Sequence, residues 1–249
     1  MLSKGSEVAG PLENLTYNGK NIPVKYFDKQ GNEVSRPDFN KAVDPSVTTE
    51  SIFKNYIKAI GGKEAVEDVE SVLMKAEASI QGQQLSLETR NTKDGKSSQI
   101  IAMGGNIISK NIYNGESGFV VAQGQKMPYN DEQLNAAKAE SNPFPELNSP
   151  NAKLRGIEQV NGKDAYAVAF DENTVVYYDV ETGLKVQAVK TVSQGGQTMT
   201  VPTNFSNYQA VKGVKFPYTI TQSFGPQSFE FNVTSIQINE GVSAEDFIE

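Results

Sequence analysis

The side chains able to do chemistry in this chain are carboxylates, amines, hydroxyls and phenols. Among its 249 residues there is no histidine, no cysteine and no tryptophan. Without imidazole or thiol, Ser-His-Asp triads, Cys-His dyads and the imidazole and thiolate zinc sites are unavailable. Acid pairs occur at Glu64/Glu67/Asp68, Asp131/Glu132, Asp171/Glu172 and Asp179/Glu181, and paired carboxylates are the residue type from which general acid–base catalysis is built. Each of these pairs adjoins a turn or helix-end signal, where solvated acids are ordinary. None has the oxygen-ligand spacing of a calcium loop. No phosphate-binding loop, dinucleotide fingerprint or G-x-S-x-G elbow is present. The residues therefore predict a non-enzyme, with no catalytic residue, no metal and no cofactor.

The elements that would position any site divide into one helix and many strands. In Thr48–Gly62, TTESIFKNYIKAIGG, the positions Ile52, Phe53, Tyr56, Ile57 and Ile60 lie on one face of a 3.6-residue period. Thr48 and Thr49 supply N-caps, Glu50 suits the positive end of the helix dipole, and Gly61-Gly62 ends the helix. About 12 residues of helix are too few to be stable alone in water, so this one must dock on something. A further helical turn is predicted at Glu64–Val69.

From Ser71 onward the period becomes two. Val72, Met74, Ala76, Ala78 and Ile80 share a face, opposite Lys75, Glu77 and Ser79. Asp94-Gly95, Gly104-Gly105, Asn114-Gly115 and Asn161-Gly162 are hairpin signals, which join antiparallel neighbours. Phe229, Phe231 and Val233 share a parity that Ile236 and Ile238 break, so a β-bulge is expected between them. Pro217 cannot donate to a ladder and predicts an edge or a bulge. Asp131–Glu140 reads as a short helix, followed by a proline-rich loop over 141–151 that is either a lid or a plain crossover. No βαβ alternation appears, so a parallel sheet is not expected. The fold class is mainly β (α+β): a curved antiparallel sheet, or incomplete β-barrel, of about eleven strands with a helix packed in its concave face. The domain spans 48–249, and 1–47 is an attached remnant or linker too short for its own core.

Net charge is −7, which argues against a nucleic-acid partner and an anionic membrane surface. No apolar run approaches the ~18 residues a spanning helix needs, so no transmembrane segment is expected. The first residues lack the apolar core of a signal peptide, which reads either as a cytoplasmic protein or as a piece of a longer chain.

Several strands are apolar on both faces. Tyr166, Val168 and Phe170 oppose Ala165, Ala167 and Ala169, and Val175 and Tyr177 oppose Val176, Tyr178 and Val180. A sheet with one wet face has no need of this. Three readings stand: a second covering layer, a dimer surface, or a half-barrel whose apolar hollow binds a hydrophobic ligand. In the last reading the hollow is lined by Phe53, Ile57, Met74, Ile80, Leu87, Tyr166, Val168, Tyr177, Phe216, Tyr218 and Phe231.

Two stretches carry a resemblance. Ser6–Val34, with Tyr26-Phe27-Asp28 and Gly31-Asn32, resembles the last strand-and-turn of the non-catalytic half of bacterial insulinase-like (pitrilysin-type) zinc peptidases. The following block, with Tyr56-Ile57-Lys58-Ala59-Ile60-Gly61-Gly62, Gly213-Val214-Lys215-Phe216-Pro217 and Asn239-Glu240-Gly241, resembles a C-terminal domain some of them carry. Its ending is similar to lipoprotein-carrier (LolA/LolB-like) proteins. The resemblance implies an incomplete antiparallel barrel with helices plugging an apolar hollow, and a periplasmic or cell-envelope location with the leader on a longer parent. It also implies two functions: a non-catalytic module holding a lipid or lipoprotein acyl chain, or a structural, substrate-docking domain of a peptidase with no ligand cavity. The peptidase family's His-x-x-Glu-His motif is absent, so this segment is not a zinc site.

Overall fold

Thr48 opens helix α1 (Thr49–Ile60) with a reciprocal cap. Its hydroxyl accepts from the Ser51 N–H at 3.1 Å, and Ser51 Oγ accepts from the Thr48 N–H at 2.9 Å. The first N–H groups of a helix have no intrahelical partner, and such a cap satisfies two donors at once. Thr49, expected as a second cap, instead accepts from the Leu154 N–H at 3.0 Å and ties the helix start to a strand far along the chain. Ile52, Phe53, Tyr56, Ile57 and Ile60 are all buried, as their spacing requires. The helix stops at Gly61, whose φ is 148°. A Cβ there would run into the Gly213 carbonyl oxygen, so glycine alone lets the helix end press against that turn. A short helix α2 (Lys63–Glu67) follows.

The computed structural model describes residues 42–80, 82–122, 124–194, 197–224 and 227–248, together with four short strands near the start. These pair antiparallel as β1 (Leu15–Tyr17) with β2 (Lys20–Ile22) and β3 (Tyr26–Phe27) with β4 (Glu33–Val34). The rest of the 1–41 segment, and with it most of the proposed remnant, lies outside the described residues.

The main sheet has thirteen antiparallel strands among the described residues. Its first run is β5 (Ser71–Ile80), β6 (Gln83–Thr92), β7 (Ser97–Met103), β8 (Asn106–Tyr113), β9 (Gly118–Ala122) and β10 (Gln125–Pro128). The second is β11 (Lys153–Val160), β12 (Lys163–Ala169), β13 (Thr174–Asp179), β14 (Lys185–Gln194), β15 (Gln197–Val211), β16 (Val214–Phe224) and β17 (Gln227–Ile238). Each run is a chain of hairpins, and the two meet where β5 pairs with β17. Strand β10, the residues QKMP, adds to the count expected from sequence. The bulge foreseen in the last strand is present between Val233 and Ser235. Further register shifts at Leu154/Gly156, Tyr177/Tyr178 and Ile101/Ala102 bend the sheet into an open curve. Pro217 is on neither edge, because β16 is a central strand, nor at a bulge, because its register with β15 is unbroken; the pairing of β16 with β17 stops at Thr219, short of the proline. It faces Tyr208, next to Asn207, which sits in the left-handed region at φ 55°.

The strand order has a topological consequence. Strands β10 and β11 follow one another in sequence but form opposite edges of the sheet. Residues 129–152 must therefore cross from edge to edge, and they cross on the concave side. They carry α3 (Asp131–Glu140) and a 3-10 turn, Pro145–Leu147. The strap touches concave-face residues of strand after strand. Asn91 Nδ2 donates to the Glu140 and Ser141 carbonyls, Phe144 packs on Phe216 with ring centroids 5.9 Å apart, and Lys190 pairs with Glu140. The proline-rich loop is thus an obligatory bridge. On the convex side a closing 3-10 turn, Ala244–Phe247, buries Phe247 and places Asp246 3.2 Å from Arg90 Nε. Asn239 clasps the same end: its Oδ1 accepts from the Glu70 and Ser71 N–H groups, and its Nδ2 donates to the Asp68 carbonyl.

Candidate functional site

Cross-strand register sets which side chains line the concave face. On β5 these are Val72, Met74, Ala76, Ala78 and Ile80; across the β6–β7 hairpin they continue as Leu85 and Leu87, opposite Met103 and Ile101. On the other side of the central pair they are Phe229, Phe231 and Val233, with Ile220 opposite Phe231 and Phe205 opposite Ile220. Burial along this surface is graded. Near α1, Val72, Ala76, Val214, Ile236 and Ile238 are buried. From the middle of the same strands to their far end, Ile80, Leu87, Ile101, Met103, Phe205, Tyr218, Ile220 and Phe229 remain only partly covered, although Ala78 and Leu85 between them are buried. Helix and strap fill one end of the hollow and leave the other apolar and half-wet.

The residues named from sequence separate accordingly. Met74, Ile80, Leu87, Phe216, Tyr218 and Phe231 lie together on the concave face. Phe53 and Ile57 line a groove of about 850 Å³ between α1 and residues 146–152, together with Leu147, Pro150 and Ala152. Tyr166 lies beside a separate, more polar cleft formed by α1 and the 179–183 turn. Val168 is fully buried core and is exposed to no ligand. Tyr177 is on the wrong face. It pairs with Ala167 while Val168 and Val176 point inward, and its hydroxyl donates to Glu158 Oε2 at 3.0 Å. Since Glu158 is on β11, the Tyr177 side chain lies across β12. Ala165 and Ala167 are small because of it, which accounts for the apolar convex face of that strand. Ile101, Met103, Ile220 and Phe229 belong to the hollow and were not singled out. The signal for the first two was present: in the β6–β7 hairpin they fall opposite Leu87 and Leu85.

Beneath the strap lies a polar cluster that periodicity does not reveal. The Glu146 side chain is wholly buried; one oxygen, Oε1, accepts from Tyr178 Oη at 2.7 Å and sits 2.7 Å from Lys185 Nζ. The other oxygen, Oε2, has no hydrogen-bond partner. Lys185 Nζ also lies 5.1 Å from the centre of the Tyr56 ring, and Tyr208 Oη donates to the Lys185 carbonyl at 2.8 Å. Burial, then the Glu146 charge, holds the Tyr56 and Tyr178 phenols protonated well above their ordinary range. Burial does the same for Tyr208, against the pull of Lys185. Tyr177, half-buried beside Glu158, is pushed up to about 12. Among the described residues no group of three or more acidic or imidazole side chains is placed to hold a metal ion.

These phenols give a pH signature. Each is harder to ionise in the folded chain than in the unfolded one, so its contribution is complete below the unfolded value near pH 10 and is lost as pH rises through the folded value. A spectrophotometric titration of the ten tyrosines should show Tyr177 withheld to about pH 12 and Tyr56, Tyr178 and Tyr208 withheld well above the ordinary phenol range, ionising only as the fold opens. Ten independent titrations centred near pH 10 would contradict the buried cluster.

No family model matches the chain, and no curated protein matches it. Solved structures do. A LolA superfamily protein of Nitrosomonas europaea superposes with a TM-score of 0.54 at 11% identity, covering 82% of this chain and 99% of that one. A DUF1329 family protein of Desulfovibrio piger gives a TM-score of 0.50 at 14% identity, covering 81% and 97%. At such identities the likeness is one of fold, and on that ground the chain has the LolA-type fold: an open, curved antiparallel sheet with helices on its concave side.

Proposed function

We propose that the chain is a non-catalytic cell-envelope module that holds a hydrophobic ligand, a lipid or the acyl chain of a lipoprotein, in the open half of its concave face. The observation that carries this reading is the loss of burial at the far ends of β5 and β17. On β17, Phe231, Val233, Ile236 and Ile238 are buried while Phe229, on the same face, is not. On β5 the same change separates Ala78 from Ile80. Large apolar side chains gathered on a concave surface and left half-wet gain about 25 cal/mol for each Å² that a ligand removes from water. The LolA-type fold and the similarity to lipoprotein-carrier proteins support the same reading. The alternative, a docking domain of a peptidase, needs a filled interior, and the half-exposed row from Ile80 to Phe229 favours the hollow over it.

The test is native mass spectrometry of the purified chain, followed by solvent extraction and lipid analysis. An adduct of several hundred daltons that extracts as lipid is the expected result. A bare protein mass that stays unchanged when fatty acid or phospholipid is added would overturn the reading.

A further inference from the structure

Resting on that reading, we propose that Lys185, with the hydroxyl of Tyr178, is a receptor for the head group of a long-chain carboxylate, and that Glu146 of the strap occupies it when no ligand is bound. The ligand's chain would lie in a second apolar site beside the open half of the sheet, the groove between α1 and the strap, whose wall Glu146 itself joins, against Phe53, Ile57, Leu147 and Ala152.

Three observations converge on this. Lys185 is a largely covered amine, its side chain 17% exposed, and its wholly buried anionic partner is supplied by a segment with little regular structure of its own. A carboxylate that has lost its water is costly unless a cation neutralises it, so Lys185 with Tyr178 marks a place built to hold a carboxylate. The resident carboxylate fits it incompletely, because Glu146 Oε2 is buried without a partner while Oε1 takes both Lys185 and Tyr178. A buried polar atom left unpaired marks either a cost tolerated for a purpose or a position meant for another group. Finally, a solvent-open groove runs along the seam between the strap and the helix beside it. Its volume is about 850 Å³, with Leu147 37% exposed at its edge and Glu146 part of its wall, and that volume is within the range of small-molecule sites.

A ligand of this kind would enter the groove with its chain against the apolar wall. Its carboxylate would take over the contacts of Glu146 Oε1, and the displaced Glu146 would regain water at the strap surface. One carboxylate exchanges for another, so the charge at Lys185 is conserved and no bond is made or broken. The receptor distinguishes an acid from its ester, because only the acid brings the charge Lys185 requires.

The experiment measures calorimetric affinities of the full chain for palmitate, methyl palmitate and lysophosphatidate, in the parent and in two variants. In Glu146→Gln the competing charge is gone, and palmitate affinity should rise about tenfold while that of methyl palmitate stays unchanged. In Glu146→Gln/Lys185→Met, which keeps the cluster neutral and therefore foldable, the preference for palmitate over its ester should vanish. Equal binding of acid and ester in the parent and in Glu146→Gln would overturn the head-group assignment and leave the hydrophobic-ligand reading standing. No binding of any of the three would remove both. Tighter binding of lysophosphatidate than palmitate in Glu146→Gln would overturn the carboxylate assignment in favour of a phosphate.

Discussion

Lys185→Met should lower the stability of the chain by about 3 kcal/mol, because removing one partner of a buried pair strands the other charge. The stranded group is Glu146, whose side chain has no exposure and whose remaining donor is Tyr178 Oη. A methionine fills much of the space of the lysine stem, so cavity formation contributes little and the loss reports mainly the uncompensated carboxylate. The double variant Glu146→Gln/Lys185→Met removes both charges, and most of the loss should return, since neutral replacement of a buried pair is often without cost. Denaturation by urea at pH 7 gives the four corners of the cycle, and a coupling well above 1 kcal/mol is the expected signature of direct contact. A single variant within about 0.5 kcal/mol of the parent would place it among ordinary surface substitutions and would mean that the strap is not latched at this point.

The Lys185–Glu146 pair also shows where a reading of the sequence stops. Helix α1 was legible to its ends, because its apolar stripe, its caps and its terminal glycines all lie within Thr48–Gly62 and agree. The strands were legible because hairpin turns such as Asp94-Gly95 and Asn161-Gly162 fix the pairing of neighbours. What neighbours cannot fix is the order of the whole sheet. The pairing of β5 with β17 joins residues more than a hundred positions apart, and it alone decides that β10 and β11 become opposite edges. Only then must residues 129–152 cross the concave face, and only then is Glu146, an unremarked acid between Pro145 and Leu147, carried into the core.

Tyr177 was misplaced for a more local reason. In β13 both parities are apolar, so alternation could not say which face was inside. The answer came from the pairing of Val176 with Val168. Val168 illustrates the opposite error. It is on the correct face and too well buried to meet a ligand, which the period of two does not report.

That difference between core and lining determines the second large effect. Leu87→Glu and Ile220→Glu should each weaken binding of an apolar ligand about a hundredfold, or about 3 kcal/mol, while leaving the fold in place. Both residues are on the concave face and partly wet, so a carboxylate there keeps its hydration in the empty protein and costs the fold little. Once an acyl chain covers the hollow, the same carboxylate must be stripped of water with no cation opposite. The apolar contact it replaced, about 25 cal/mol per Å² over the area of one side chain, is lost as well. Val168→Glu serves as the contrast. At a site with no exposure it should prevent folding, and any loss of binding it causes carries no information about a ligand. The measurement is the affinity for methyl palmitate, which has no charge for Lys185 to read, together with the urea midpoint of each variant. Unchanged affinity in both glutamate variants, at unchanged midpoint, would move the ligand out of the open end of the sheet.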